Sequence, residues 1–292
     1  MLGADASSHC GYPLGRQLVS ELVRLRGSKD LDDLPNGWDR STVEDFLTEL
    51  SRWDPSSIDA FLEANRGYLA LGKFLIARQL KRLESVDRLF PPDDAGWYRY
   101  LFDCVFANGT AEFALSRLKI VTFNYDRSLE AYLHTRIQSV FKLTSSQAFE
   151  VLGRLPVVHV HGCLGDVVAY PYESTASIDK LIEISQRIQV IHEIDDRHDG
   201  FCNAMFRAAH DWFVDAERIY FLGFGFHADN LRRFRFFSQE TTKNKLLRAT
   251  LPGAGPQEQK ALLDRLGPLG FPTEAITSFT CNQFFSFVAG LE

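Results

Sequence analysis

The chain has 292 residues, and its 32 lysine and arginine residues are outnumbered by 38 aspartate and glutamate residues, which gives a formal net charge of −6. This length allows one large domain or two small ones. Hydrophobic residues make up 45% of the chain and charged residues 24%, a composition that predicts a full globular core and argues against disorder. Proteins that coat nucleic acid need a clustered cationic excess, so we expect no direct nucleic-acid binding.

No apolar run reaches the roughly 20 residues that a membrane helix needs. The first residues also lack the basic and apolar regions of a secretory signal, so we expect a cytoplasmic protein that makes no membrane contact. The five cysteines have wide, irregular spacings without a Cys-x-x-Cys pair. This pattern predicts neither a disulfide framework nor a bound metal.

The first part of the chain has a helical pattern. Leucines at helical spacing predict a first helix from Pro13 to Arg26, and the polar stretch 27–40 predicts a loop. Residues 41–108 predict an all-helical insertion, in which 58–83 forms one long helix. The aromatic residues of this insertion have two open interpretations: they form its own core, or they form an interface with another chain.

Short β-branched runs alternate with helical stretches from Leu118 onward. The runs predict strands over 118–123, 156–160 and 218–222, and two weaker strands near 247–251 and 274–279. The stretches between them predict helices over 128–141, 145–152 and 178–194. Residues 1–40 and 116–292 are therefore expected to form one α/β core, with a mostly parallel sheet and helices on both faces.

Two later segments have simpler interpretations. The acidic run 193–199 is typical of a solvated loop rather than a cation site. In the segment 229–237, arginines alternate with phenylalanines, a pattern that we interpret as an amphipathic helix rather than a nucleic-acid stacking surface.

Small residues precede the first helix in the order Gly3, Ala4, Asp5, Ala6 and Ser7. Such residues let a backbone approach a pyrophosphate at a helix N-terminus, although a plain turn is the alternative. The carboxylate of Asp5 stands where a nucleotide-binding turn favours glycine, and its charge would repel phosphates.

The strand predicted over 118–123 is followed by polar residues, in the order Thr122, Phe123, Asn124, Tyr125 and Asp126. A buried amide and a buried carboxylate at a strand end need partners, and a ligand is one way to supply them. The alternative is that these residues cap the helix that begins near residue 128. The spacing alone does not distinguish a ligand site from a helix cap.

His159 and His161 lie on one face of the next strand, because side chains alternate along a strand. A metal site would need further ligands that the sequence does not offer at suitable spacing. We therefore interpret His161, which stands beside Gly162, as an acid–base group in a ligand crevice, and His159 as its structural neighbour. Ligands of parallel α/β sheets bind at the carboxyl ends of the strands, where these clusters fall.

Taken in order, the residues 3–7 with Pro13, the segment 122–126, the pair His161-Gly162 and the turn 223–225 resemble the SIR2-like (sirtuin-related) family, particularly its bacterial branch in anti-phage defence. The resemblance spans residues 1–292 and implies a single Rossmann-like domain that takes NAD as its substrate, without a metal. It implies that Asn124 and His161 are the catalytic pair, with His161 as the general base. The cofactor-binding residues that it implies are Gly3, Ala4, Asp5, Ser7 and Pro13 at the pyrophosphate, Thr122 and Asp126 of the motif at the nicotinamide-ribose end, Gly162 after the general base, and Gly223 and Gly225 on the adenosine-ribose side.

The activity implied by the resemblance is that of an NAD⁺ glycohydrolase, which releases nicotinamide and ADP-ribose. A non-catalytic NAD-binding or structural subunit of a defence complex is the alternative. A protein deacylase is a weaker one, because the chain lacks the four-cysteine zinc module and has Leu14-Gly15-Arg16 in place of Asp-Phe-Arg. The resemblance also implies a homo-oligomer that is regulated by assembly with a partner, which would be a HerA-type ATPase or an Argonaute-like protein.

Overall fold

A computed structural model of the chain describes residues 1–31, 33–35, 37–91, 96–112, 117–190, 200–226 and 238–287. The segments 193–199 and 229–237, which we interpreted from the sequence above, lie outside the described residues. Within the described ranges, no helix combines the length and the apolar character needed to cross a membrane.

The described part of the chain contains five short strands, and all their pairings are parallel. They are β1 (Ile120–Thr122), β2 (Val157–His159), β3 (Arg218–Phe221), β4 (Leu246–Thr250) and β5 (Ile276–Thr277). Each lies within a predicted strand segment or overlaps it, so the strand predictions are confirmed, with shorter bounds.

Leu2 joins the two halves of the sheet. Its N–H donates to the Val121 carbonyl at 2.8 Å, and its own carbonyl accepts from the Phe123 N–H at 2.9 Å. On the other side it makes a parallel bridge to Leu222. With Leu2 counted as the first strand position, the order across the sheet is 3-2-1-4-5-6, the order of a doubly wound nucleotide-binding sheet. The fold is therefore the expected Rossmann-like α/β fold.

Helices dominate the part of the chain before β1. They are α1 (Gly15–Val23), α2 (Arg40–Trp53), α3 (Ile58–Ala64), α4 (Leu69–Leu83), α5 (Val86–Leu89) and α6 (Gly96–Val105). The prediction of one long helix over 58–83 is wrong, because the chain leaves the helix at Asn65. The Asn65 side-chain amide donates to the Phe61 carbonyl at 2.9 Å. The Asn65 N–H donates to the same carbonyl at 3.0 Å, and a 3₁₀ turn over Arg66–Tyr68 follows.

The helices after β1 connect and cover the strands. They are α7 (Ser128–Phe141), α8 (Ser145–Leu152), α9 (Ile178–Ser185), α10 (Gly200–Asp215), α11 (Gln239–Thr242), α12 (Pro256–Leu266) and α13 (Cys281–Phe287). The bounds of α7 and α8 are those predicted from the sequence.

The sheet has an apolar core on each face. Val121, Ile219 and Phe221 face one cluster, which includes side chains of α10 and α12. Ile120 and Leu222 face the other, which includes α1, the helices of the insertion and α7. Since side chains alternate along a strand, one sheet supplies both cores, and helices cover both faces as expected.

The aromatic residues of the insertion are mostly buried within the second of these clusters. Phe61 and Phe74 have no exposed surface, and Trp97, Phe102 and Phe106 are at most 5% exposed. This burial favours the first of the two interpretations, in which these rings form a core rather than an interface.

Candidate functional site

The turn after Leu2 is a 3₁₀ helix over Ala4–Cys10, and it touches the turn that follows β3. A Cβ on Gly3 would lie 2.4 Å from the Gly223 carbonyl oxygen, and one on Gly223 would lie 2.3 Å from the Ala6 nitrogen. Gly223 also has φ +63°, a conformation that favours glycine. These two glycines let the two turns pack against each other at the carboxyl edge of the central strands.

Asn124 follows β1 and reaches across to the first turn. Its side-chain amide donates to the Gly3 carbonyl at 2.9 Å and lies 3.3 Å from the Ser7 hydroxyl. Its own N–H donates to the Thr122 hydroxyl at 3.1 Å. The structure therefore brings together four residues that the sequence analysis selected, Gly3, Ser7, Thr122 and Asn124.

Asp126 is only 7% exposed and is bonded on both sides. Its Oδ2 accepts from the Ser7 hydroxyl at 2.7 Å, and its Oδ1 accepts from the Ser128 N–H at 3.0 Å and from the Ser128 hydroxyl at 2.5 Å. Burial raises the pKa of Asp126, and the hydrogen bonds from Ser128 and Ser7 offset only part of this rise. The carboxyl group therefore fastens the first turn to the start of α7.

His161 lies just beyond β2 and is 6% exposed. Its ring is surrounded by aromatic rings: the centroid of Phe123 is 5.7 Å away, that of Phe206 on α10 6.2 Å and that of Tyr125 6.3 Å. The next residue, Gly162, has φ +68°, and a Cβ there would lie 1.9 Å from the Arg187 carbonyl oxygen. The imidazole is thus held in apolar surroundings from which most water is excluded, at a turn that requires glycine.

His159 contacts a residue that the sequence analysis missed. Its Nε2 lies 2.5 Å from the Glu130 carboxylate on the first turn of α7, and its Nδ1 lies 3.0 Å from the backbone carbonyl of Asn124. Burial lowers the pKa of the His159 ring, but charges on Cys163 and Glu130 raise it more, and the result is a pKa of about 10. At neutral pH both ring nitrogens therefore carry a proton and donate.

A second missed cluster consists of buried charges between the insertion and the site. The Arg127 guanidinium lies 2.8 Å from the Glu84 carboxylate, and the Lys81 ammonium contacts the same carboxylate. All three side chains are at most 5% exposed. Tyr125 adds a further link, because its hydroxyl donates to Asp59 of α3 at 2.5 Å. Both contacts tie the segment after β1 to the helical insertion.

The other predicted binding residues lie at the edges of this arrangement. Ala4 begins the 3₁₀ turn, and the Asp5 carboxylate accepts from the Ser8 hydroxyl at 2.9 Å. Pro13 is half-buried and precedes α1, which begins at Gly15 rather than at the proline. Gly225 is exposed in the segment after β3.

The cavities of the described part do not follow the simple expectation of a large crevice at the carboxyl edge. One cavity of about 760 Å³ lies at the opposite ends of β1 and β3 and is lined by Lys119 and Arg218. A second cavity of about 10 Å³, room for roughly one water molecule, lies beside Asn124 and is also lined by Glu130 and His159.

Across the described ranges, no three His, Cys, Asp or Glu side chains come together in a group that could hold a metal ion. His159 donates through both of its ring nitrogens to protein partners, so it has no lone pair to offer a metal. What the site does offer is an amide, a carboxyl group and an imidazole beside buried aromatic rings. Such a set can orient a polar ligand and accept a proton from it.

The family model of the SIR2-like domain matches residues 118–266, just over half of the chain. The match begins two residues before β1 and includes Asn124, Asp126, His161 and Gly223. It leaves out the first turn and the helical insertion. No curated protein matches the chain.

Proposed function

The chain belongs to the SIR2-like family, and from this premise we propose that it is an NAD⁺ glycohydrolase that cleaves NAD to nicotinamide and ADP-ribose. The observation that carries the proposal is the position of Asn124. Its amide lies at the carboxyl edge of the central strands, bonded to the first turn, and His161 follows the neighbouring strand. This edge is where doubly wound sheets bind dinucleotides.

The proposed reaction breaks the bond between the nicotinamide nitrogen and C1′ of the ribose. The bonding electron pair leaves with nicotinamide, so positive charge develops on the ribose ring. A water molecule then adds to C1′ and loses a proton to His161, which acts as a general base. The aromatic surroundings of His161 support this role, since a dry site strengthens electrostatic interactions with the developing charge.

Asn124 would hold the attacking water or a ribose hydroxyl through its side-chain amide. To do so the amide exchanges its bonds to Gly3 and Ser7 for bonds to the ligand. Asp126 is bonded to Ser7 and Ser128 and buried, which supports a role in fixing this geometry rather than direct contact with the ribose.

A non-catalytic NAD-binding or structural subunit is the second candidate function. The observation that favours it is the closed site: His161 is 6% exposed, and the amide of Asn124 is already bonded to the protein. The negative charge of Asp5 also favours the non-catalytic candidate, because it would repel phosphates. The Asp5 carboxylate does, however, accept a hydrogen bond from Ser8 within the same turn. Deacylation remains the weaker alternative, since the chain has no four-cysteine zinc module.

The biological setting of the proposal comes from the resemblance. We place the protein in the cytoplasm, in an anti-phage defence system, as a homo-oligomer regulated by a HerA-type ATPase or an Argonaute-like partner. Cleavage of NAD without control would kill the host cell, which supports an inactive state that assembly relieves.

Release of nicotinamide and binding of NAD, measured separately, distinguish the candidates. The proposal predicts release by the wild type, alone or with the proteins encoded by neighbouring genes. It also predicts that Asn124→Ala reduces the rate by about 100-fold or more, the usual effect of losing a preorganised donor. Binding without release in every assembly would favour the non-catalytic NAD-binding subunit, and the absence of both would favour a structural one.

A further inference from the structure

The backbone carbonyl of Asn124 contacts a charged pair, His159 and Glu130, that the proposed reaction does not use. The His159 ring lies between the Glu130 carboxylate, 2.5 Å from Nε2, and the Asn124 carbonyl, 3.0 Å from Nδ1. The side chains of His159 and Glu130 are 12% and 19% exposed. One imidazole thus connects the first turn of α7 to the peptide group that follows Asn124.

We propose that Glu130 and His159 are positioning residues, which fix the peptide group of Asn124 and thereby aim its side-chain amide at the substrate. The inference rests on the proposed function of the site. Neither residue needs to touch NAD in this role, because they act through Asn124.

Protonation of both ring nitrogens of His159 explains why the pair has one hydrogen-bonded arrangement. With a proton on each ring nitrogen, His159 has two donors, and each faces one acceptor, the Glu130 carboxylate and the Asn124 carbonyl. The ring has no alternative tautomer in which either bond is lost. The other charged or titratable groups that interact with the pair are Arg127, Asp126 and Tyr98 at Glu130 and Cys163 at His159.

The surroundings of the pair make its loss costly for the local geometry. The small cavity beside the pair is lined by Thr122, Asn124, Asp126, Glu130 and His159. It holds roughly one water molecule while the imidazole is in place, and a water that entered after substitution would not be tied covalently to β2 as the imidazole is. A freed peptide group can rotate, and a displacement of about 1 Å at a catalytic group costs on the order of 100-fold in rate.

Two substitutions at one position separate the two bonds. In His159→Asn, the side-chain amide occupies the place of Nδ1 and keeps the donor to the Asn124 carbonyl but not the contact with Glu130. In His159→Gln, the amide reaches the place of Nε2 and keeps the contact with Glu130 but not the donor to Asn124.

The expected result is a fall in kcat of about 10- to 100-fold for His159→Gln, with the KM for NAD changed by less than about threefold. His159→Asn should retain kcat within about fivefold of the wild type, as a rescue by the conservative donor. A merely structural role would lower the activity of both variants in parallel with their thermal stability. Equal kcat values for the two variants would overturn the inference.

Hydrogen exchange of the backbone tests the same inference without any turnover. Exchange over residues 122–126 should be faster in His159→Gln than in the wild type and in His159→Asn. If exchange follows this order but no protein releases nicotinamide, the proposed function fails and the positioning of Asn124 stands. If exchange is the same in all three proteins, the positioning is refuted, whether or not NAD is cleaved.

Discussion

The four residues 124–127, which follow β1, are held by two different kinds of contact, and these alternate along the chain. Asn124 donates its amide to the first turn, and Asp126 accepts from Ser7 and Ser128, so all the donors are neutral. Tyr125 and Arg127 instead bond to carboxylates of the helical insertion, at Asp59 and Glu84. One side of the segment therefore belongs to the site, and the other side anchors it.

This difference indicates what the insertion contributes. Asn124 has partly accessible bonds that it can exchange for bonds to a ligand, whereas the buried ion pair of Arg127 and Glu84 holds one geometry and tolerates no missing partner. The helical insertion thus stabilises the segment 124–127 through its contacts with Tyr125 and Arg127. Changes on the first side should alter turnover, and changes on the second should alter stability.

Removal of the imidazole on the site side has the largest expected effect on rate. His161→Ala should lower NAD cleavage by about 10²- to 10⁴-fold, the usual contribution of a positioned general base. Loss of the buried ring also leaves a cavity among the rings that surround it and lowers the melting temperature, so the rates are compared on protein shown to be folded. Near-normal turnover in this variant would remove His161 from the proposed mechanism.

Loss of a charge on the anchoring side should act on stability instead. Glu84→Ala leaves the buried cations of Lys81 and Arg127 without their carboxylate, and breaking a buried pair in this way costs about 3–5 kcal/mol. The check is the free energy of unfolding in urea. Replacement of exposed Asp54, whose ion pair with Arg16 is largely solvated, is the matched control and should change it by less than about 1 kcal/mol. A similar loss in both variants would contradict the assignment.

A smaller change tests the second anchoring contact. Tyr125→Phe removes the hydroxyl that donates to Asp59 and should lower the free energy of unfolding by about 1 kcal/mol, the typical net value of one hydrogen bond. The ring stays in place against His161. Turnover by the folded variant should therefore stay within a few-fold of the wild type. A fall in turnover as large as that of His161→Ala would mean that Tyr125 acts in the reaction and not only as an anchor.

The charge of His159 gives the most specific effect, a dependence of stability on pH. Its pKa is about 10 in the folded protein and 6.5 without the fold. Because the pKa is higher in the folded state, the protonated ring contributes its full stabilisation at pH values below 6.5. This contribution to the free energy of unfolding is lost as the pH rises toward 10. The advantage of the wild type over His159→Gln in urea should therefore be larger at pH 6 than at pH 10. An advantage independent of pH would mean that the ring is neutral.

The sequence predicted much of the fold because the fold depends on local patterns. The β-branched runs located all five strands of the described part, and the apolar spacing predicted α7 and α8 with their observed bounds. The long helix over 58–83 was missed at Asn65, because one polar residue in a helical stripe is compatible with a helix. In the structure Asn65 has φ −120° and ψ +62°, outside the helical region, and no local sequence pattern marks this change.

The site was predicted less completely, for a related reason. Asn124, Asp126 and His161 stand at strand ends, a position that the sequence reveals. Glu130 and Glu84 were not predicted, since their partners lie 29 and 43 residues away and no local pattern marks a long-range ion pair.

A time course of nicotinamide and ADP-ribose production from NAD tests the central claim most directly. It is best run with the wild type alone and with the proteins encoded by neighbouring genes, and Asn124→Ala serves as the matched negative control. We expect the wild type to release the two products in equal amounts in at least one of these assemblies, and the variant to release neither above background. Intact NAD in every assembly, or equal release by the variant, would contradict the account.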